Sequence, residues 1–173
     1  GFPDKLVTPG GSGRQVILAP QSRSDDMTLP YTGGCACGAI RYTITGEPAA
    51  MNLCQCRTCQ RESGTGHGAH LTFAGAAVTL TGTASLWATT GVDGTRKQRG
   101  FCPTCGAPVF ITLPDMPQIF IASAASLDDP SRYRPEVVYW TASGHSWDTL
   151  DPVLTRFDRL PPELTRETTG EDA

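Results

Sequence analysis

Three thiols fall within six residues in Cys54-Gln55-Cys56-Arg57-Thr58-Cys59, at the spacing C-x-C-x-x-C. Two further pairs flank them, Cys35-Ala36-Cys37 and Cys102-Pro103-Thr104-Cys105, and together these are all seven cysteines of the 173-residue chain. Four thiolates complete a tetrahedral zinc shell, whereas three leave one position open to water or a substrate. The grouping of two, three and two therefore predicts a closed, structural zinc site on Cys35, Cys37, Cys102 and Cys105. It predicts an open site, where chemistry can occur, on Cys54, Cys56 and Cys59. The outer pairs are over sixty residues apart, so a shared ion would clamp distant parts of one domain and its binding would become folding free energy. Two disulfides or free buried thiols are the competing reading, and the small strained ring of a Cys35–Cys37 bridge counts against the disulfides.

The middle triplet leaves more than one reading. A histidine, His67 or His70, would complete it as a second structural zinc site. A redox couple through the C-x-x-C pair is a third reading, since such pairs cycle through a disulfide. The third thiol beside that pair favours metal.

Short strands must carry these groups. Ile40, Tyr42 and Ile44 alternate with Arg41, Thr43 and Thr45, the period of a strand with one buried face. A glycine-rich knuckle at Gly33-Gly34-Cys35-Ala36-Cys37-Gly38 precedes it. Residues 49–53 read as a short strand delivering Cys54, and residues 57–62 as one or two helical turns ending at Ser63-Gly64. A thiol in the first turn of a helix, as Cys59 would be, has its anion favoured by the free amides. Strand candidates then follow at 69–73, 77–81, 85–89, 97–101, 108–112, 119–123 and 137–141, punctuated by glycine and proline. No segment keeps a helical period over three turns. The expected class is mainly β, short antiparallel sheets with zinc knuckles at one end.

Composition removes several functions. The formal net charge is −3, which argues against nucleic acid. The densest basic cluster, Arg96-Lys97-Gln98-Arg99, reads first as a solvated strand face and second as an anion-binding rim near the metal. No apolar run is long enough to cross a bilayer. Metal-type cysteine spacing without a secretory signal predicts a reducing compartment, the cytoplasm. Residues 1–26, with the linker-like Thr8-Pro9-Gly10-Gly11-Ser12-Gly13, read as a tag or linker, and Met27 as the native start. Residues 14–19 could still pair as an added strand. Residues 27–160 are expected to form a single zinc-binding β domain, and 161–173 a polar C-terminal tail.

The three cysteine motifs resemble those of the glutathione-dependent formaldehyde-activating enzyme family, to which centromere protein V belongs. The resemblance rests on Gly34-Cys35-Ala36-Cys37-Gly38, Cys54-Gln55-Cys56-Arg57-Thr58-Cys59 and Gly100-Phe101-Cys102-Pro103-Thr104-Cys105-Gly106. Ala122-Ser123 with Ser126-Leu127-Asp128-Asp129-Pro130, and Ser146-Trp147, resemble its later signatures. The resemblance implies a β-tent fold, a structural zinc on the outer four cysteines and a second zinc on Cys54, Cys56 and Cys59. It implies a carbon–sulfur lyase-type activity, the reversible addition of glutathione to formaldehyde giving S-(hydroxymethyl)glutathione. Gln55 stands where the family often has histidine.

The residues suit that chemistry. Adding a thiolate to an aldehyde creates an alkoxide that needs a proton or a positive charge, and Arg57, Arg61, His67 or His145 could supply it. The implied partner is a small-molecule thiol such as glutathione, whose carboxylates Arg57, Arg61 or the Arg96–Lys97–Gln98–Arg99 cluster could hold. Trp87 and Trp140 read as packing, and Trp147, in a loop, as the exception that could touch a ligand. The competing function is a non-catalytic zinc module that binds a protein partner.

Overall fold

The computed structural model describes residues 30–91, 93–161 and 164. Residues 1–26, Met27, the candidate strand at 14–19 and most of the 161–173 tail lie outside the described residues.

The alternation after the first knuckle becomes a small sheet. Strand β2 (Arg41–Thr45) buries Tyr42 and Ile44 and exposes Thr43 and Thr45. It pairs antiparallel with β1 (Tyr31–Gly34) on one side and with β5 (Ala77–Thr81) on the other. The remaining strands form an eight-stranded sheet. They are β3 (Ala50–Cys54), β4 (Gly68–Ala74), β6 (Ser85–Thr90), β7 (Arg96–Phe101), β8 (Pro108–Thr112), β9 (Ile119–Ser123), β10 (Val137–Tyr139) and β11 (Thr155–Phe157). Their order is β11-β10-β3-β4-β9-β8-β7-β6. Neighbours are antiparallel except β10, which lies parallel to both β3 and β11. The single α-helix among the described residues, α1 (Arg57–Ser63), follows Cys56 directly.

The two sheets meet over one core. Ile40, Ile44, Leu71, Phe73, Val109 and Ala122 are wholly inaccessible, and each large apolar side chain buried in this way contributes about 1.5–3 kcal/mol. Tyr42 lies in the same core with its hydroxyl 2.9 Å from the Ser126 hydroxyl. Leu53, Val138, Leu150 and Leu154 make a second, smaller cluster under the parallel strands. No helix among the described residues is long and apolar enough to cross a membrane.

One expected strand is shorter than its pattern. The run at 137–141 leaves the sheet at Trp140, the one described non-glycine residue with positive φ, at 63°. Holding a tryptophan there costs about 1–3 kcal/mol, a cost met where the surroundings over-determine the backbone. The strand β11 had no clear alternation to announce it, and its partner β10 is the short parallel strand that Trp140 ends.

Sheet register selects which side chains share a face. Thr72 of β4 stands opposite Ile121 of β9, Ile121 opposite Ile111 of β8, and Ile111 opposite Arg99 of β7. Lys97, two residues from Arg99 and so on the same face, stands opposite Thr89 of β6. At the other end Asn52 of β3 faces His70 of β4. All of these residues line a single cavity, which is therefore one face of the large sheet, closed by the start of α1.

Candidate metal centres and a cavity

The sequence builds the outer cluster from two similar turns. The Ile40 amide donates to Cys35 Sγ at 3.2 Å, and the turn passes through Gly38 at φ +79°. In the second turn the Gly106 amide donates to the Cys102 carbonyl at 2.8 Å, with Gly106 at φ +75°. Glycine takes this left-handed backbone without the penalty that other residues meet. The four sulfurs of Cys35, Cys37, Cys102 and Cys105 lie within 4.8 Å of one another. Cys35 and Cys37 are 3.6 Å apart, and Cys37 and Cys102 3.7 Å. A tetrahedron with metal–sulfur bonds of about 2.3 Å has edges of roughly 3.8 Å, so these spacings fit zinc. They are far beyond a disulfide bond, and all seven cysteines are free. Burial pushes the Cys35 thiol up, but the Ile40 amide and the neighbouring sulfurs outweigh it and bring it down to about 6.

The inner cluster is made differently. Cys54 ends β3, Cys56 is the N-cap of α1, and Cys59 lies in its first turn. The Cys59 amide donates to Cys56 Sγ at 3.5 Å, so a sulfur takes the place of the oxygen that usually caps a helix. The three sulfurs lie within 4.8 Å of one another. Hydrogen bonds from Cys54 and Cys59 hold the Cys56 thiol far below its ordinary range, and the same contacts push Cys54 far above. Three sulfurs drawn together in this way could hold a metal ion. A side chain on Gly68 would meet His70 Nε2 at 2.6 Å and the Cys59 β-carbon at 3.1 Å, so the missing side chain leaves the room in which this cluster packs.

All three inner sulfurs line the cavity, whose volume is about 190 Å³. Its cations come from β7. Arg99 is buried; its guanidinium pairs with Glu62 of α1, bonds Thr89 Oγ1 at 3.3 Å and approaches Cys59 Sγ at 3.9 Å. Lys97 lines the opening beside it. Arg96, on the other face of the strand, pairs with Asp115. The basic cluster thus divides by strand parity: Lys97 and Arg99 face the cavity, and Arg96 belongs to the solvated face.

The histidines divide as well. His70 sits on β4 with Nε2 3.6 Å from Cys59 Sγ. Burial, reinforced by Lys97, lowers its pKa to about 4 and keeps it neutral. Its Nδ1 has no hydrogen-bond partner among the described residues. Among those residues, the set of ligand atoms mutually within 4.8 Å at this centre is the three sulfurs without His70. His67 points elsewhere, its Nδ1 2.9 Å from Asp148 Oδ1. Gln55 Nε2 donates to the other oxygen of that carboxylate at 2.8 Å.

Arg57, Arg61 and His145 also lie outside the cavity lining. Arg57 donates to Gln60 and approaches His145 Nε2 at 3.1 Å. His145 stacks on Trp147 with ring centroids 5.1 Å apart, and Trp147 is 66% exposed. Gln60 Nε2 donates to the carbonyls of Gln55 and Ser143 at 2.7 and 2.8 Å. These groups tie α1 to the 140s loop. The wall residues that sequence reasoning missed are Asn52, Asp93, Tyr139, Trp140 and Leu160. Asn52 and Tyr139 come from strands β3 and β10, and Asp93, Trp140 and Leu160 from outside the strands, with no local signal that they share one wall.

Sheet and sulfur clusters together define a mainly β protein with two cysteine centres able to hold metal ions, one of them opening into a cavity. The chain belongs to the glutathione-dependent formaldehyde-activating enzyme family, whose model matches residues 30–143. Among solved structures, the crystal structure of a Rhodobacter sphaeroides protein is similar, with TM-score 0.44 and 18% identity over 73% of this chain and 98% of that one. No curated protein sequence matches significantly.

Proposed function

We propose that this chain is a zinc enzyme of carbon–sulfur lyase type that joins a small thiol, glutathione or a relative, to formaldehyde and cleaves the adduct. In this reading Cys35, Cys37, Cys102 and Cys105 hold a structural zinc within a β-tent fold, and Cys54, Cys56 and Cys59 hold the catalytic one. Family membership supports the reaction class. One observation carries the site: three clustered sulfurs open into a cavity that also holds two cations. A protein-binding module has no need of such a cavity. Bound there, zinc would keep the incoming sulfur anionic at neutral pH.

The chain's own residues do the rest. The thiol sulfur bonds to the carbonyl carbon as the C=O π pair moves to oxygen, and the thiol's proton ends on that oxygen. No electron is gained or lost. Neutral His70, beside Cys59, relays the proton from sulfur to oxygen without storing it. Arg99, against the same sulfur, offsets the negative charge gathered at the centre. Ile111, Ile121, Trp140 and Leu160 keep water from the cavity wall. In this reading the protein works in the cytoplasm, a reducing compartment that suits cysteines in metal-type spacing.

Metal analysis and calorimetry test this reading. The protein is expected to carry two zinc ions, one labile to chelator. It should bind glutathione, bind S-methylglutathione much more weakly, and accelerate hydroxymethyl adduct formation followed by NMR. One tight zinc with three free thiols, and no discrimination between the two ligands, would return the chain to the non-catalytic module.

A further inference from the structure

The cavity holds a pair of opposite charges that the thiol chemistry leaves unused. Lys97 and Asp93 both line it, Asp93 from the turn joining β6 to β7 and Lys97 from β7 itself. Gly91 lies between them: a side chain there would collide with Asp93 Oδ1 and meet Lys97 Nζ at 3.3 Å. The carboxylate and the ammonium are thus close neighbours. They form no ion pair with each other, and Lys97 has no hydrogen bond to a described residue. Asp93 is steered by Thr95, whose amide reaches Oδ1 at 3.3 Å and whose hydroxyl reaches Oδ2 at 2.7 Å. Each of those oxygens keeps acceptor capacity for a further donor. Thr95 itself is buried, so the carboxylate is held by a fixed support.

We infer that Asp93 and Lys97 read the zwitterionic α-amino-acid end of the substrate thiol, Asp93 taking its ammonium and Lys97 its carboxylate. This inference rests on the thiol-binding reading of the three-sulfur centre. A host acid and base that attract each other across a gap without closing an ion pair are complementary to a guest that carries both charges. Size narrows the guest. At about 190 Å³ the cavity is smaller than the roughly 300–1,000 Å³ clefts that enclose drug-sized ligands. It has room for a sulfur arm and one amino-acid head, and the rest of a peptide would lie outside. Free cysteine and the γ-glutamyl end of glutathione both present this head.

Calorimetry on the zinc-loaded full chain decides it. The ligands are cysteine, N-acetylcysteine, cysteine methyl ester, glutathione and N-acetylglutathione, with S-methylcysteine and S-methylglutathione as the capped controls. Loss of the α-ammonium by acetylation, or of the α-carboxylate by esterification, should weaken binding at least about tenfold, the scale of one charged hydrogen bond. Lys97→Met should cost the parent thiols a similar factor and leave the methyl ester unchanged; Asp93→Asn should do the same with the acetylated ligands unchanged. Cysteine binding as well as glutathione would make the free amino acid the guest, while glutathione binding tenfold tighter would make it the γ-glutamyl end. If all free thiols bind alike and neither variant discriminates, this inference falls and the thiol site stands. If no free thiol binds better than its S-methylated form, the functional reading falls and carries this one with it. Should a variant fail to fold, the ligand series on the unaltered protein gives the answer.

Discussion

The two sulfur clusters use one residue type in two mechanical settings. The outer four come from two glycine turns and are met by backbone, with no charged side chain among the described residues in hydrogen-bond contact. The inner three come from a strand end and a helix start, and one of them, Cys59, is met by Arg99 and His70. The outer set offers four sulfurs, enough to close a tetrahedral shell around an ion. The inner set is one donor short and opens into a cavity. In the proposed reading closure makes a clamp and openness makes a site, and the surroundings differ to match: turns around the first, Arg99 and His70 from other strands beside the second.

The contrast breaks hardest at the clamp. Cys102→Ser should destabilise the domain by more than about 4 kcal/mol, because metal affinity at a closed site is folding free energy. Thermal denaturation should show a melting temperature at least about 10 °C lower, with one zinc lost. An unchanged melting temperature and zinc content would put the clamp elsewhere.

Arg99→Met probes the wall of the open site. It leaves the Glu62 carboxylate without its cation, and breaking a buried pair from one side costs about 3 kcal/mol. Urea unfolding measures that loss. The double variant with Glu62→Gln should recover most of it, whereas lability of the inner zinc should remain raised in both. A double variant as unstable as the single one would mean that the guanidinium acts through packing.

Cys56→Ser should move stability by about 1 kcal/mol, since serine still caps α1. Zinc content should nevertheless fall from two ions to one, and thiol binding should vanish. Outright unfolding would make the inner centre a second clamp. The smallest effect is expected outside both clusters. His145→Ala, on the exposed stack with Trp147, should change stability by less than about 0.5 kcal/mol and leave thiol affinity as it was. A large loss of affinity there would extend the site beyond the cavity.

Much of this arrangement was legible in the chain, for a local reason. C-x-C and C-x-x-C spacings set sulfur separations over one turn of backbone, so seven cysteines sorted themselves into two centres before any fold was known. The alternation of Ile40, Tyr42 and Ile44 fixed a buried face for the same reason, since strand period is a property of neighbouring residues. The basic residues show where local reasoning ends. Arg57, Arg61, His67 and His145 are near the inner thiols in sequence or suited to them in type, yet all four lie outside the cavity. Arg99, forty residues from Cys59, touches its sulfur.

The amino-acid sequence by itself determined the ligand sets, the mainly β class and the short helix that Cys56 caps and Gly64 ends. Tertiary structure alone decided what faces the open centre. Whether Lys97 or Arg96 enters the cavity depends on the parity of β7, and that parity matters only once cross-strand register aligns Arg99, Ile111, Ile121 and Thr72 into one wall. Asp93, Trp140 and Leu160 join them from loops whose positions are set by packing against that wall. Such contacts are sums over distant pairings, and no window of the chain contains them.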